Sequence, residues 1–302
     1  MSDLAWLRAG GKPALARALA LIETAPDAAE VTALLDAALA APRGRVIGLT
    51  GPPGVGKSTL LDAVVRTLRA RSLTVGVIAV DPSSRLSGGA LLGDRTRVSR
   101  DPGDDGVFMR SMAARDRLGG LADLVFPASV LMRAVKDIVL VETVGVGQSE
   151  TAIAEIADWV VFCAQPGSGD ALQFMKAGVM EIPDLILVTK SDMGAVAQQT
   201  VADLRGALGL ARPDRPPAIL ACSARFGEGM EAVADALADV PQDPMRRARQ
   251  TRSWLERSLR DRFGSEGMNR VSGSLAGWNG ADAFTMAYTI GVRLAAALDR
   301  LE

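Results

Sequence analysis

From Arg45 onward the chain repeats one pattern. Short apolar runs bounded by Gly, Asp or Pro (RVIGLT, LTVGVIAVD, GVFMRS, DIVLVET, DWVVFCAQP, DLILVTK, PAILACSA) alternate with longer stretches whose apolar positions fall at helical spacing. The runs are short and mostly apolar, as suits parallel strands covered by helices. The alternation predicts an α/β fold, a doubly wound, mostly parallel sheet with helices on both sides.

The two ends read differently. Residues 13–41 carry Leu15, Leu19 and Ile22, then Val31, Leu34, Leu35 and Leu39, broken at TAPDAAE, which predicts two packed helices closed by PRG at 42–44. After DVPQDP the pattern predicts a basic helix (MRRARQTRSWLERSLRDRF), a Gly/Ser-rich break over 264–280, and an apolar helix to the end. The expected division is a helical N-terminal extension at 1–43, an α/β domain at 44–242 and a helical C-terminal appendage at 243–302.

Composition narrows the chemistry. Apolar residues make up 48% of the chain and aromatics only 4%, so the core is built from Ala, Val, Leu and Ile. A net charge of -1 argues against a nucleic-acid partner. There is no His, which removes the commonest general base and metal ligand and leaves carboxylates, Lys, backbone amides or a hard cation such as Mg²⁺. Cys163 and Cys222 each sit in an apolar run, which predicts buried, unpaired thiols and a reducing, cytoplasmic setting. The N-terminus lacks the pattern of a signal peptide, and no stretch is long and apolar enough to span a membrane, so no membrane association is expected.

GLTGPPGVGKSTLLDAV places G-x-x-x-x-G-K-[ST] between a predicted strand and a predicted helix, the context this phosphate-binding motif requires. Gly51, Pro52, Pro53, Gly54, Val55, Gly56, Lys57, Ser58 and Thr59 are the candidate residues. Backbone N–H groups would cradle the phosphates, Lys57 would reach the β and γ oxygens, and the Ser58 hydroxyl would ligate Mg²⁺. A strand-to-helix turn with an incidental Lys is the alternative, and the motif is silent on the base.

Two further strand ends address the base. One carries Thr189, Lys190, Ser191 and Asp192, the other Ser223, Ala224 and Arg225. The Asp192 carboxylate could accept from both the ring N–H and the exocyclic amine of guanine, which adenine does not offer, so GTP is favoured over ATP. In DIVLVETVGVGQSE a carboxylate, Glu142, closes a strand and Gly145 follows three residues later. That pattern suits a Mg²⁺-side carboxylate and a γ-phosphate-sensing glycine. A solvent-facing charge followed by ordinary turn residues, Gly145 and Gly147, is the other reading.

VIAVDPSS, GGALLGDRTRV, VETVGVGQSE and PGSGDALQFMKAG, in this order around the P-loop, resemble the MeaB/ArgK family of P-loop GTPases over residues 10–265. These are G-protein metallochaperones of adenosylcobalamin-dependent acyl-CoA mutases, such as methylmalonyl-CoA mutase. The resemblance implies GTP and GDP as ligands, hydrolysis that gates cofactor loading and release, a mutase as partner, a cobalamin adenosyltransferase as a further candidate partner, and a homodimer as a candidate state. It also implies that Asp81 and Asp94 lie near the Mg²⁺ and the attacking water. PGSGDALQFMKAG would be a third switch with Asp170, Gln173 and Lys176, the last offering a cation to the transition state once a partner orders the loop.

Three positions depart from the family. Thr189 replaces an Asn, which should remove a brace on the P-loop. Ala171 replaces an acidic residue, and the tail beyond residue 265 is unlike the family's dimerisation arm. Trp254, Leu255, Leu259 and Phe263 line one helix face that could dock on the central domain or on another subunit. The competing functions are a transport-associated ATPase or small-molecule kinase, a nickel-inserting GTPase, which the lack of His disfavours, and a nucleotide-binding module without turnover.

Overall fold

The computed structural model describes residues 3–82, 103–114, 122–143, 152–167, 182–211, 216–278 and 280–298. Every apolar run noted above is a strand: β1 (Arg45–Thr50), β2 (Val75–Pro82), β3 (Val107–Ala114), β4 (Ile138–Glu142), β5 (Trp159–Ala164), β6 (Leu185–Val188) and β7 (Ala218–Ala221). The described helices are α1 (Leu4–Ala9), α2 (Gly11–Thr24), α3 (Ala29–Ala40), α4 (Lys57–Ala70), α5 (Ala122–Val135), α6 (Ala195–Ala211), α7 (Met230–Ala238), α8 (Pro244–Ala276) and α9 (Ala283–Leu298).

The strands form one sheet in the order β3-β2-β4-β1-β5-β6-β7, with every pairing parallel. Successive strands build out on one side of β1 and then on the other. The loop leaving β1 therefore opens into the crevice where the winding reverses, the usual ligand site of such sheets. On one face Ile47, Leu49, Val161 and Leu187 pack with Leu61, Val64 and Leu68 of α4 and Val233 and Leu237 of α7. On the other, Phe162, Ile186 and Val188 pack with Leu204 and Leu208 of α6.

Three strands open on an Asp with a common task. Asp158 accepts from the backbone N–H of Val46 (2.8 Å), Asp184 from that of Val160 (2.9 Å), and Asp137 from that of Thr74 (2.8 Å). Each satisfies an amide on a neighbouring chain segment at the N-terminal edge of the sheet, where an unpaired buried donor would be costly.

The chain divides into two compact units. Arg45–Asp116 and Lys136–Gln242 hold the sheet, while Met1–Gly44, Arg117–Val135 and Asp243–Glu302 form a helical unit. Three N-terminal helices are present rather than two, because α1 is nucleated by Asp3, whose side chain accepts from Trp6 N–H at 2.9 Å. In the same unit Asp36 of α3 accepts from the backbone N–H groups of Phe284 (2.9 Å) and Thr285 (3.0 Å) at the start of α9. That cap satisfies helix-terminal donors and gives a buried carboxylate its partners.

The expected break over 264–280 is largely helix. The chain kinks at Gly264 (φ 67°) and then continues helical to Ala276. Gly267, Val271 and Leu275, four apart, are buried on one stripe, and Glu266 pairs with Arg270 at 2.7 Å. That packing outweighs the roughly 1 kcal/mol each Gly costs in a helix. Trp254 stacks on Phe126 of α5 (centroids 5.5 Å apart) and meets Phe284 of α9 at 4.5 Å. Trp254, Leu255 and Leu259 are thus buried inside the helical unit. Among the described residues no helix is long and apolar enough to cross a membrane.

Candidate functional site

Between β1 and α4 the chain turns through three left-handed glycines, Gly51 (φ 141°), Gly54 (φ 77°) and Gly56 (φ 96°). At Gly51 a side chain would also run into the carbonyl oxygen of Cys163 on the neighbouring strand, so only glycine fits. Lys57 is the first residue of α4 and only 8% exposed. Its Nζ donates to the carbonyls of Gly51 (2.8 Å) and Pro52 (3.1 Å), which holds a buried ammonium inside the loop. With the N-terminus of α4 directed at the same place, the turn has the geometry and charge that suit phosphate oxygens.

Glu142 ends β4, in register with Leu49 of β1. It is 8% exposed, and its Oε1 accepts from Ser58 Oγ at 2.9 Å. The reading of Glu142 as a charge facing water is therefore wrong, since the carboxylate faces the first turn of the P-loop helix. A hydroxyl and a carboxylate beside a phosphate cradle are hard oxygen donors that fit Mg²⁺, which binds through one or two protein groups plus phosphate and water. Among the described residues no cluster of three or more His, Cys, Asp or Glu forms an all-protein metal cage.

A pocket of about 240 Å³ opens beside the P-loop, lined among others by Gly56, Thr189, Asp192, Ala224 and Arg225. Thr189 corrects an expectation. Its hydroxyl lies 2.8 Å from the Val55 carbonyl and 3.1 Å from that of Ala164, so it braces the P-loop despite replacing an Asn. A hydroxyl has one proton, so it serves one of these carbonyls at a time. Lys190 adopts a left-handed conformation (φ 53°), uncommon for a residue with a Cβ. Its Nζ donates to Gln165 Oε1 (2.7 Å) and the Gly54 carbonyl (3.2 Å), which carries its stem across the P-loop. Asp192 Oδ1 accepts from Ser223 Oγ at 2.6 Å, fixing the carboxylate at the pocket wall. Cys222 also lines this pocket, and Cys163 lies beside Gly51. Burial pushes the Cys163 thiol up to about 12 and the Cys222 thiol up to about 11, so both stay protonated near neutrality.

The P-loop residues, Glu142, Thr189, Lys190, Asp192, Ser223, Ala224 and Arg225 thus gather where β1, β4, β6 and β7 end. Asp81 lies near the C-terminal end of β2, paired in register with Ala113. Asp94, Gly145, Gly147, Asp170, Ala171, Gln173 and Lys176 lie outside the described residues. Sequence reasoning overlooked Gln165, the partner of Lys190, and Glu228, whose Oε2 lies 3.3 Å from Ser191 Oγ. The signal for Gln165 was a polar residue directly after an apolar strand.

Comparison with known proteins agrees with this geometry. The family described as methylmalonyl-CoA mutase-associated GTPase MeaB matches residues 15–268. The GTPase ArgK of Escherichia coli is 37% identical over 242 residues, covering 77% of this chain and 73% of that protein. The mouse mitochondrial methylmalonic aciduria type A homolog is 40% identical over 197 residues, covering 63% of this chain and 48% of that protein. Among solved structures, one described as a LAO/AO transport system kinase superposes with a TM-score of 0.66 at 27% identity, covering 98% of this chain and 96% of that one. A hydrogenase maturation factor HypB from Archaeoglobus fulgidus (TM-score 0.50, 18% identity, covering 69% of this chain and 95% of that one) shares the fold. The chain belongs to the MeaB family of P-loop GTPases.

Proposed function

We propose that this GTPase is a metallochaperone for an adenosylcobalamin-dependent acyl-CoA mutase, and that its hydrolysis cycle gates loading, protection or reactivation of the mutase cofactor. The observation that carries the reading is the match of residues 15–268 to a family described as mutase-associated.

In this reading the P-loop amides and Lys57 hold the β and γ phosphates. Ser58 and Glu142, already 2.9 Å apart, would hold Mg²⁺, with Asp81 and Asp94 near it. The ion would supply charge neutralisation on the phosphate oxygens. Thr189 keeps the P-loop in shape, and Asp192 accepts from the guanine edge while Ser223 fixes its orientation. Gly145 would donate to the γ-phosphate, and Lys176 would enter late, on a loop ordered by the partner. No strong base is required, because GTPases work by positioning and electrostatics. A cobalamin adenosyltransferase as second partner, a homodimer and a cytoplasmic location belong to the same proposal; two buried unpaired cysteines support the last.

The test is single-turnover GTP hydrolysis with and without purified adenosylcobalamin mutases. One mutase should co-elute with the protein and accelerate the reaction, and equal rates across all candidates would overturn the partnership. A second reading, phosphoryl transfer to a small molecule, is favoured by the description of the structural neighbour as a transport system kinase. Label from γ-phosphate-labelled GTP appearing only in inorganic phosphate would exclude it.

A further inference from the structure

Phe226 stands out in the segment that follows β7. The chain from Ser223 to Glu228 is a tight loop latched at its base. Ser223 and Glu228 form an antiparallel bridge, with Ser223 N–H donating to the Glu228 carbonyl at 2.9 Å. Ser223 Oγ is tied to Asp192, and Gly227 (φ 76°) and Gly229 (φ 71°) take the left-handed turns that close the loop. At its tip Phe226 is 60% exposed, an uncommon place for a large apolar ring on a loop so firmly held. One contact gives the ring a use. The Arg225 guanidinium carbon lies 5.2 Å from the ring centroid, within cation–π range. Arg225, but not Phe226, is among the residues lining the base pocket.

We infer that Phe226 is a positioning residue for nucleotide retention: its ring holds the Arg225 guanidinium flat at the mouth of the base pocket, where that planar cation can cover the purine. A long Arg side chain at an exposed rim otherwise samples many rotamers, and each closure over the base would cost entropy. A latched aromatic ring removes much of that cost and leaves the other guanidinium face for the base. Phe226 then acts on how fast nucleotide leaves, while the choice between guanine and other bases stays with Asp192. The inference rests on the base-pocket reading above.

The experiment follows release of a ribose-labelled fluorescent GDP from the full chain, chased with excess GDP, in six forms: wild type, Phe226→Ala, Phe226→Leu, Phe226→Trp, Arg225→Ala and the Arg225→Ala/Phe226→Ala double variant. A cation–π contact at an exposed site corresponds to a rate change of about two- to fivefold. Release should speed up by that factor in Phe226→Ala and equally in Phe226→Leu, which keeps apolar bulk without the π face. Phe226→Trp should restore the slow rate or slow it further. In an Arg225→Ala background the Phe226→Ala change should have no added effect, and thermal melting of the Phe226 variants should match wild type. Wild-type release from Phe226→Leu, or an undiminished Phe226→Ala effect without Arg225, would overturn the inference. Failure of the base-pocket reading shows separately, as a wild type that does not prefer GTP over ATP.

Discussion

Ser58 Oγ and Glu142 Oε1 meet at 2.9 Å, joining the first turn of the P-loop helix to the end of the adjacent strand across 84 residues of sequence. The contact holds a hard hydroxyl and a buried carboxylate at one point beside the phosphate cradle. Glu142→Gln keeps the shape and removes the charge, so nucleotide binding without Mg²⁺ should change little. The Mg²⁺ concentration needed for half-maximal GTPase should rise, and the maximal rate should fall about 10²- to 10³-fold, the cost of losing one preorganised electrostatic group. A Mg²⁺ titration of the steady-state rate checks it, and an unchanged titration would remove Glu142 from the metal site.

Thr189 yields a second prediction. Thr189→Val keeps the shape, removes the hydroxyl that reaches the buried carbonyls of Val55 and Ala164, and should destabilise the fold by about 1–3 kcal/mol. GTP should bind at least fivefold more weakly, because the P-loop loses its brace. Thr189→Asn offers two amide protons where the hydroxyl has one, and should bind GTP as well as wild type or better. Thermal melts and nucleotide titrations of both variants decide this; equal GTP affinity in Thr189→Val would show that the brace is idle.

The segment proposed as a third switch lies outside the described residues, so the expectation for Lys176 follows from the proposed function. Lys176→Ala should leave GTP binding and intrinsic turnover nearly unchanged while removing most of the stimulation by a mutase, by about tenfold to a thousandfold. An unaltered stimulated rate would make Lys176 an ordinary surface residue.

The buried thiols should lower stability at alkaline pH. A Cys in an unfolded chain titrates near 8.5, whereas Cys163 is pushed up to about 12, chiefly by burial and then by Cys222, with Lys57 pulling the other way; burial pushes Cys222 to about 11. Above about pH 8.5 the unfolded chain releases protons that the folded chain keeps. The thiols' stabilising contribution is thus complete below that pH and lost as pH climbs toward 11 and 12, by at most roughly 1.4 kcal/mol per pH unit for each thiol. Denaturant midpoints between pH 8 and 10.5 should fall less steeply in a Cys163→Ala/Cys222→Ala double variant than in wild type. Parallel slopes would assign the alkaline loss of stability to other groups.

What the sequence made legible follows from where local pattern and tertiary contact agree. The inner strands were readable because parallel strands buried on both faces need unbroken apolar runs, the edge strands β3 and β7 carried shorter apolar stretches although they are less buried, and the Asp residues before β4, β5 and β6 marked where three strands begin. That the P-loop, Glu142 and the residues lining the adjacent pocket come together was readable because polar and glycine residues directly after apolar runs mark the C-terminal ends of parallel strands, which share one edge of the sheet. The helix from 265 to 276 was not, because its glycines and serines hide a stripe of Gly267, Val271 and Leu275 that becomes apolar only once packed. The Thr189 brace was missed for a different reason: it runs to the backbone carbonyl of Val55, and side-chain identity alone does not reveal a backbone partner.

The base assignment turns on Asp192. Its Oδ1 is engaged by Ser223 at 2.6 Å, which leaves the rest of the carboxylate to face the pocket as an acceptor. Guanine presents two donors, the ring N–H and the exocyclic amine, and each charge-assisted bond is worth about 1.5–3 kcal/mol. Asp192→Asn replaces one acceptor with a donor that meets the guanine amine head on, and xanthine carries a carbonyl in that place. GTP affinity should therefore fall by about two orders of magnitude or more while XTP affinity rises, an inversion rather than a general loss. ATP should bind poorly to both forms, because adenine lacks the ring proton that the carboxylate accepts. Competition titrations of a fluorescent GTP analogue against GTP, XTP and ATP separate the outcomes. If Asp192→Asn weakens all three nucleotides alike, Asp192 holds the pocket's shape and reads no base; if it inverts the order, Asp192 reads the base, and Ser223→Ala, which removes the 2.6 Å bond to that carboxylate, should then blunt discrimination between GTP and XTP without reversing it.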